Sequence, residues 1–446
     1  MNTHAMHCAC AETSSASLDR AEAEIQKSWL LRVWLASGIF FMALPGTLLG
    51  FSNLLAISAH HGSAFLPPAW MEGHGHAQVF GWIGSFVLGI GFYSQPARDR
   101  SALNVQRASV LLWVPGVALR WFANIYGWHW RILVPLSAVM EGVAMLLFLA
   151  AARHHKRSDA PADKSSGSMP LWMVAVLMST AGFAGAVFFN AFECVRLALG
   201  GASPSFPHAL DQRYLVLLGW GFLAPVVWGF SARWLPVLLG LPALKRSLFA
   251  LALVLDGVGV CAGLLGAIQA AALLLAAGAI ACVLGLGMLA RPVASARTRG
   301  VHASFPFFAR MPYIWLQVAA GLGIWAAWAD TSGGIWGASR HALTVGFAAT
   351  MVFTIGPRIL PNFIGVVRIF SLRLMLLSLV ALQVGCTLRV SAEPLAYENI
   401  VPFAWKLLPL SGVLELTGVL LFALNLALTI VAGKSAFVAA KPAEQA

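Results

Sequence analysis

The sequence predicts an all-α polytopic membrane protein of twelve transmembrane helices, arranged as three four-helix repeats. Composition, the spacing of apolar runs and one stretch that occurs three times carry that prediction. Hydrophobic residues make up 59% of the 446-residue chain against 10% charged, a balance that suits a bilayer-embedded chain and no soluble class. A formal charge of +12 would point to nucleic acid in a soluble domain. Here Lys and Arg fall in short loops between apolar runs, so topology accounts for them and the lipid bilayer, not nucleic acid, is the expected partner. The six cysteines are scattered; Cys194, Cys261, Cys282 and Cys386 each stand alone in or beside an apolar run, with no disulfide framework or CxxC pair.

A spanning helix needs about 20 mostly apolar residues. Runs of that kind cover 29–57, 74–95, 105–125, 131–152, 170–194, 213–236, 246–267, 269–290, 311–330, 340–361, 372–391 and 409–432. The tightest connection is the seventh to eighth, where the chain must turn between Gly266 and Gln269. Basic residues favour one side: Arg98, Arg100 and Arg107; Arg153, Lys156, Arg157 and Lys164; Lys245 and Arg246; Arg291, Arg297, Arg299 and Arg310; Arg368 and Arg373. By the positive-inside rule that side is cytoplasmic, which places both termini inside. The polar segment 1–28 lacks a signal-peptide pattern and is expected to be a cytoplasmic tail, as is 433–446.

The recurring stretch is HALTVGFAATMVFTIGPRILP, His341 to Pro361. Residues 76–96 match it without a gap at His76/His341, Ala77/Ala342, Gly81/Gly346, Val87/Val352, Ile90/Ile355, Gly91/Gly356 and Pro96/Pro361. A third copy, 216–236, shares Gly221, Phe222, Ala224, Val227, Arg233, Leu235 and Pro236 with the last and carries Val216 where the others carry His. The copies fall on helices two, six and ten, so the repeat units are 29–152, 170–290 and 311–432.

Helices two and ten are then parallel, and the shared register puts His76 and His341 at similar depth near the outer surface. A histidine within a span is costly unless partnered, and imidazole is the commonest neutral metal ligand. Two imidazoles at matched depth suit the opposite faces of one haem, so His76 and His341 are the candidate iron ligands. The plainer alternative is that each bonds a neighbouring helix and only sets packing. Gly81 lies about 140° round the helix from His76 and reads, with Gly91 and Gly356, as a packing position.

Arg340, Arg213 and Arg120 are candidates to pair with haem propionates, against an interfacial role beside Trp121, Trp128 and Trp130. Intramembrane carboxylates are Glu141, Asp256, Glu193 and Glu415, readable as a proton path, a cation site or an internal pair such as Glu141 with Arg120. His74 stands about 200° from His76 if both are helical. With His60, His61 or His208 it is a candidate copper ligand. His4, His7, Cys8 and Cys10 form a short tract suited to Cu(I) or zinc.

At these residues the chain resembles the NnrS family, haem- and copper-containing polytopic membrane proteins associated with tolerance of nitric oxide. The likeness lies in GHGHAQVFGWIGSFVLGIGFY around His74 and His76, LLWVPGVALRW around Arg120, and RHALTVGFAATMVFTIGPRILPNFIG from Arg340 to Gly365. It implies haem, copper and a role in the nitrosative stress response at an inner membrane, with nitric oxide or a respiratory electron donor as partner. The layout is also similar to the catalytic subunit of haem-copper oxidases, in which histidines on helices two and ten hold a low-spin haem. The residues for a binuclear centre are missing: the tenth helix has no second His near His341, the sixth no His-to-Tyr pair and the seventh-to-eighth turn no His-His. The competing expectations are a twelve-helix secondary transporter, against which a four-helix repeat speaks, and a metal or haem assembly factor using the Cys8 and Cys10 tail.

Overall fold

The computed structural model describes residues 3–95, 100–158 and 169–440, with side chains at 22–95, 101–153 and 169–432. All regular structure among these residues is helical and forms twelve continuous helices. They are α1 (3–60), α2 (68–93), α3 (Arg100–Tyr126), α4 (Trp130–Ser158), α5 (Leu171–Gly200), α6 (His208–Leu239), α7 (Arg246–Leu264), α8 (Ile268–Leu286), α9 (Phe305–Ala329), α10 (Gly334–Phe363), α11 (Leu372–Tyr397) and α12 (Ala404–Ala440). Ten are long and apolar enough to cross a membrane, so this is a multi-pass membrane protein by helix length and hydropathy. The exceptions to the expected twelve are α2 and α9, of similar length but less apolar. Glu72, His74, His76 and Gln78 stand on α2; Arg310 and Gln317 stand on α9.

Several ends differ from expectation. The first helix starts at Thr3, not residue 29, and the last runs to Ala440, so the flanking segments read as tails are largely continued helix. The side chains of His4, His7, Cys8 and Cys10, and all of Pro96, lie outside the described residues. A left-handed glycine, Gly266 at φ 87°, turns α7 into α8 within three residues and keeps them separate helices. The start of α2 moves from residue 74 to Pro68, where proline's fixed φ suits the first turn of a helix.

Three of the helices contain π-helical turns at one shared place. They span Ala77–Gly84 in α2, Leu217–Leu223 in α6 and Ala342–Ala349 in α10. Each begins at the residue after His76, Val216 and His341, so the repeat recurs in backbone geometry as well as in sequence. A fourth, Met42–Leu48 in α1, contains Pro45, which has no N–H to donate, and there the Thr47 hydroxyl donates to the Met42 carbonyl at 2.8 Å. Such π turns are rare and concentrate at functional sites.

Consecutive helices pack as hairpins: α1 with α2, α3 with α4, and so on to α11 with α12, while α12 also meets α1 and closes the ring. The two most enclosed spans are α6 and α10, whose apolar windows are 67% and 61% buried. Small residues permit these approaches: Gly182 of α5 faces the backbone of Gly221, Gly81 lies under Phe41, Gly91 under Phe148 and Gly346 under Trp315. The packing role expected of Gly81 and Gly91 is met; Gly356 makes only ordinary contacts.

Candidate functional site

His76 does not stand free in α2. Its Nε2 lies 2.8 Å from Glu141 Oε1 on α4, its ring stacks on Phe80, and both members of the pair are buried. Asn190 on α5 donates to the other oxygen of Glu141 at 3.3 Å. In the third unit His341 Nε2 lies 2.9 Å from each oxygen of Glu415 on α12. Glu141 therefore pairs with His76 and not with Arg120, and Glu415 has the matching role in the third unit.

The match extends to the helix that packs behind each carboxylate. A Cβ on Gly116 of α3 would lie 3.1 Å from Glu141 Cγ, and one on Gly385 of α11 would lie 2.7 Å from Glu415 Cγ. Four residues after each glycine comes an arginine, Arg120 and Arg389. Arg120 is buried, meets Glu72 at 3.3 Å and Cys194 Sγ at 2.6 Å, and lies over the Phe206 ring. Arg389 donates to Glu393 at 2.9 Å. Each cluster thus brings a histidine, an arginine and two carboxylates together, with Arg340 also within electrostatic reach of Glu393 in the third unit, and opposite charges offset the expense of burial.

The second carboxylate arrives by different routes. Glu72 stands on α2, four residues before His76, and the equivalent position before His341 is Gly337. Glu393 stands on α11, four residues after Arg389, and the equivalent position after Arg120 is Asn124. A side chain on Gly337 would run into the Glu393 carboxylate, so in the third unit that carboxylate takes the room left by the missing one. The two units are related by a swap across a helix pair: Glu72 with Asn124 in one, Gly337 with Glu393 in the other.

The second unit keeps the scaffold and loses the charge. Val216 replaces the histidine, Gln212 stands at the Glu72 position, and Gly259 packs on Leu275 much as Gly116 and Gly385 pack on the glutamates. A cavity of about 40 Å³ lined by Val216, Ala271, Leu275, Ala319 and Trp336 lies there instead.

His74 and His76 are both helical, so they face opposite ways. His74 Nδ1 bonds the Gly46 carbonyl of α1 at 2.9 Å, and a Cβ on Gly50 would lie 2.5 Å from the ring. That face leads to the third unit: His341, Glu415 and Arg389 all lie within electrostatic reach of His74. His76 is turned to α4 and α5 instead. The rings of His60 and His61 stack on Phe65 and Trp405, and no three His, Cys, Asp or Glu side chains converge on a metal position among the described residues. Arg340 donates to Gln212 at 2.5 Å and lies over Trp336; Arg213 rests against Gly266 at the α7–α8 turn; Glu193 pairs with Arg196 at 2.8 Å.

The carboxylate partners have a sequence signal of their own, which the recurring stretch on helices two, six and ten does not reach. Residues 135–148, PLSAVMEGVAMLLF, match 409–422, PLSGVLELTGVLLF, at Pro135/Pro409, Leu136/Leu410, Ser137/Ser411, Val139/Val413, Glu141/Glu415, Leu146/Leu420, Leu147/Leu421 and Phe148/Phe422. Ser137 and Ser411 also share a local bond, each donating to the carbonyl three residues back at 2.7 and 2.6 Å.

A family model described as a domain of unknown function, DUF8744, matches residues 296–431. That segment is nearly coextensive with α9 to α12 and contains one cluster, His341 with Glu415 and Arg389 with Glu393. No curated protein matches the chain.

Proposed function

We propose that the chain is a haem-binding inner-membrane protein of the NnrS type, acting in the response to nitric oxide, with twelve spans, both termini cytoplasmic and a haem-copper-oxidase-like arrangement. The observation that carries the reading is the state of the imidazoles. A ligand histidine gives one nitrogen to the metal and has its ring and tautomer fixed through the other. Among the described residues, His74 spends Nδ1 on the Gly46 carbonyl and has no hydrogen bond to Nε2; His341 spends Nε2 on Glu415 and has none to Nδ1. Both face the same region between the first and third units.

The axial pair proposed is therefore His74 with His341, in place of His76 with His341. His76 is turned toward α4 and belongs to a separate cluster with Glu141. Haem bound by two histidines would supply one-electron transfer, whereas binding of a gas at iron would need an open position. Arg340 and Arg213 remain the candidates for propionate contact; Arg120 is already engaged by Glu72 and Cys194. The copper implied by the resemblance has no donor set among the described residues, and no role is assigned to it.

The test is the optical spectrum of the purified protein, oxidised and reduced. His74→Ala and His341→Ala should each abolish a six-coordinate low-spin signal, while His76→Ala should retain it. Full haem content in both of the first two variants, or a wild-type protein purified without iron, would overturn the proposal.

A further inference from the structure

Asp256 lies near the middle of α7, with 1% of its surface exposed and no hydrogen-bond partner for either carboxyl oxygen among the described residues. Among the same residues no charged side chain faces it from α5, α6, α8 or α9. Its titratable neighbour is Cys282 of α8; beyond Cys282 lies Tyr313 of α9, directed at Ser231 of α6. All three are buried. The helices are close here, because a Cβ on Gly278 would lie only 3.3 Å from the Asp256 amide nitrogen.

A lone carboxylate in this setting is far too costly to persist, and even a neutral carboxyl left unbonded is destabilising relative to a satisfied one. Packing alone would be better served by leucine. The His76 and His341 clusters each neutralise their acids with a cation, and Asp256 has none. A ligand that removes the charge without a cationic side chain accounts for the residue, and the smallest such ligand is a proton.

We propose that Asp256 is an intramembrane proton-binding site, with Cys282 as its titratable neighbour. The site lies where α6 to α9 meet, away from both histidine clusters, and does not depend on the haem reading.

Dicyclohexylcarbodiimide, which attacks protonated carboxyls from the apolar phase, tests it on the full chain in proteoliposomes. After digestion, mass spectrometry should find the adduct on Asp256, with a yield that falls as pH is raised. Glu141 and Glu415, held by histidine, should react much less in the same digest. The adduct should vanish in Asp256→Asn and form again at position 256 in Asp256→Glu, a variant that keeps the acid and guards against a misfolded Asp256→Asn. No adduct at any pH, a yield indifferent to pH, or protection by sodium ions at constant pH would each overturn the assignment.

Discussion

The histidine–glutamate pairs make a sharp claim about single residues. Removing one member of a buried hydrogen-bonded pair leaves the other unsatisfied, at a cost of about 1–3 kcal/mol or more, while replacing both by apolar side chains is often close to neutral. His76→Leu alone should therefore lower the thermal midpoint of the detergent-solubilised protein, and His76→Leu with Glu141→Leu should recover most of the loss. Equal destabilisation by the single and double variants would mean the pair is not coupled. Gly337→Ala is the second case: its methyl must displace Glu393, and overpacking of that kind costs about 1–3 kcal/mol even though alanine is the better helix former. The same change at Gly142, where a Cβ meets nothing within 4 Å, should be neutral or mildly stabilising in the same thermal assay.

At this scale the sequence was half legible. His76 and His341 stood out because a shared register picked them from twelve histidines. Glu141 and Glu415 stood out as intramembrane carboxylates but not as the partners of these histidines, because they lie on helices four and twelve, whose own likeness is separate from the stretch shared by helices two, six and ten. The Arg120 and Arg389 pairings had no common signature to find, since the two units draw the acid from different helices.

Among elements, the π turns are the feature that no residue pattern announces. Ala77–Gly84 and Ala342–Ala349 contain mostly ordinary apolar residues and glycines, with Gln78 and Thr344 as their polar members, and their register is set by packing that only the fold reveals. Their placement one residue after each histidine suggests a direct experiment. Deleting Ala348 should close the wide turn into regular helix and rotate the part of α10 before it by about 100° relative to the part after it. His341 would then leave Glu415, and the variant should elute as aggregate on size exclusion or, on the haem reading proposed above, lose its haem. Retained haem in a monodisperse Ala348 deletion would mean the turn does not set the histidine. Helix ends were legible where a cap residue marks them, as at Gly266, and illegible at Thr3 and Ala440, where the helix runs on past the apolar span with no breaker to stop it.

For the molecule as a whole, the twelve helices were readable because apolar runs and turn residues mark them, and the motif recurring on helices two, six and ten is what suggests a four-helix period. The unequal chemistry of the units was not readable, since Val216 announces the loss of one histidine but not the apolar cavity that replaces the cluster. The proposed topology is checked with an impermeant thiol reagent on right-side-out vesicles, using single cysteines in a cysteine-free background. Cysteines placed between Gly201 and Pro207 should label from outside, and those between Arg291 and Gly300 only after the vesicles are opened; the reverse pattern would invert the orientation.

The exchange of Glu72 and Asn124 for Gly337 and Glu393 has a consequence for how such chains can vary. A helix pair with an acid at both positions would crowd two negative groups around one guanidinium, and a pair with neither would leave the guanidinium bare in hydrocarbon. Sequence change at these sites should accordingly travel in couples: across relatives, whichever helix carries the acid, its neighbour should carry a small or neutral side chain, in the first and third units separately. An alignment deep enough to count the four combinations would find the doubly acidic and doubly neutral classes depleted, and an even distribution among them would leave the bare glycine at 337 without a physical cause.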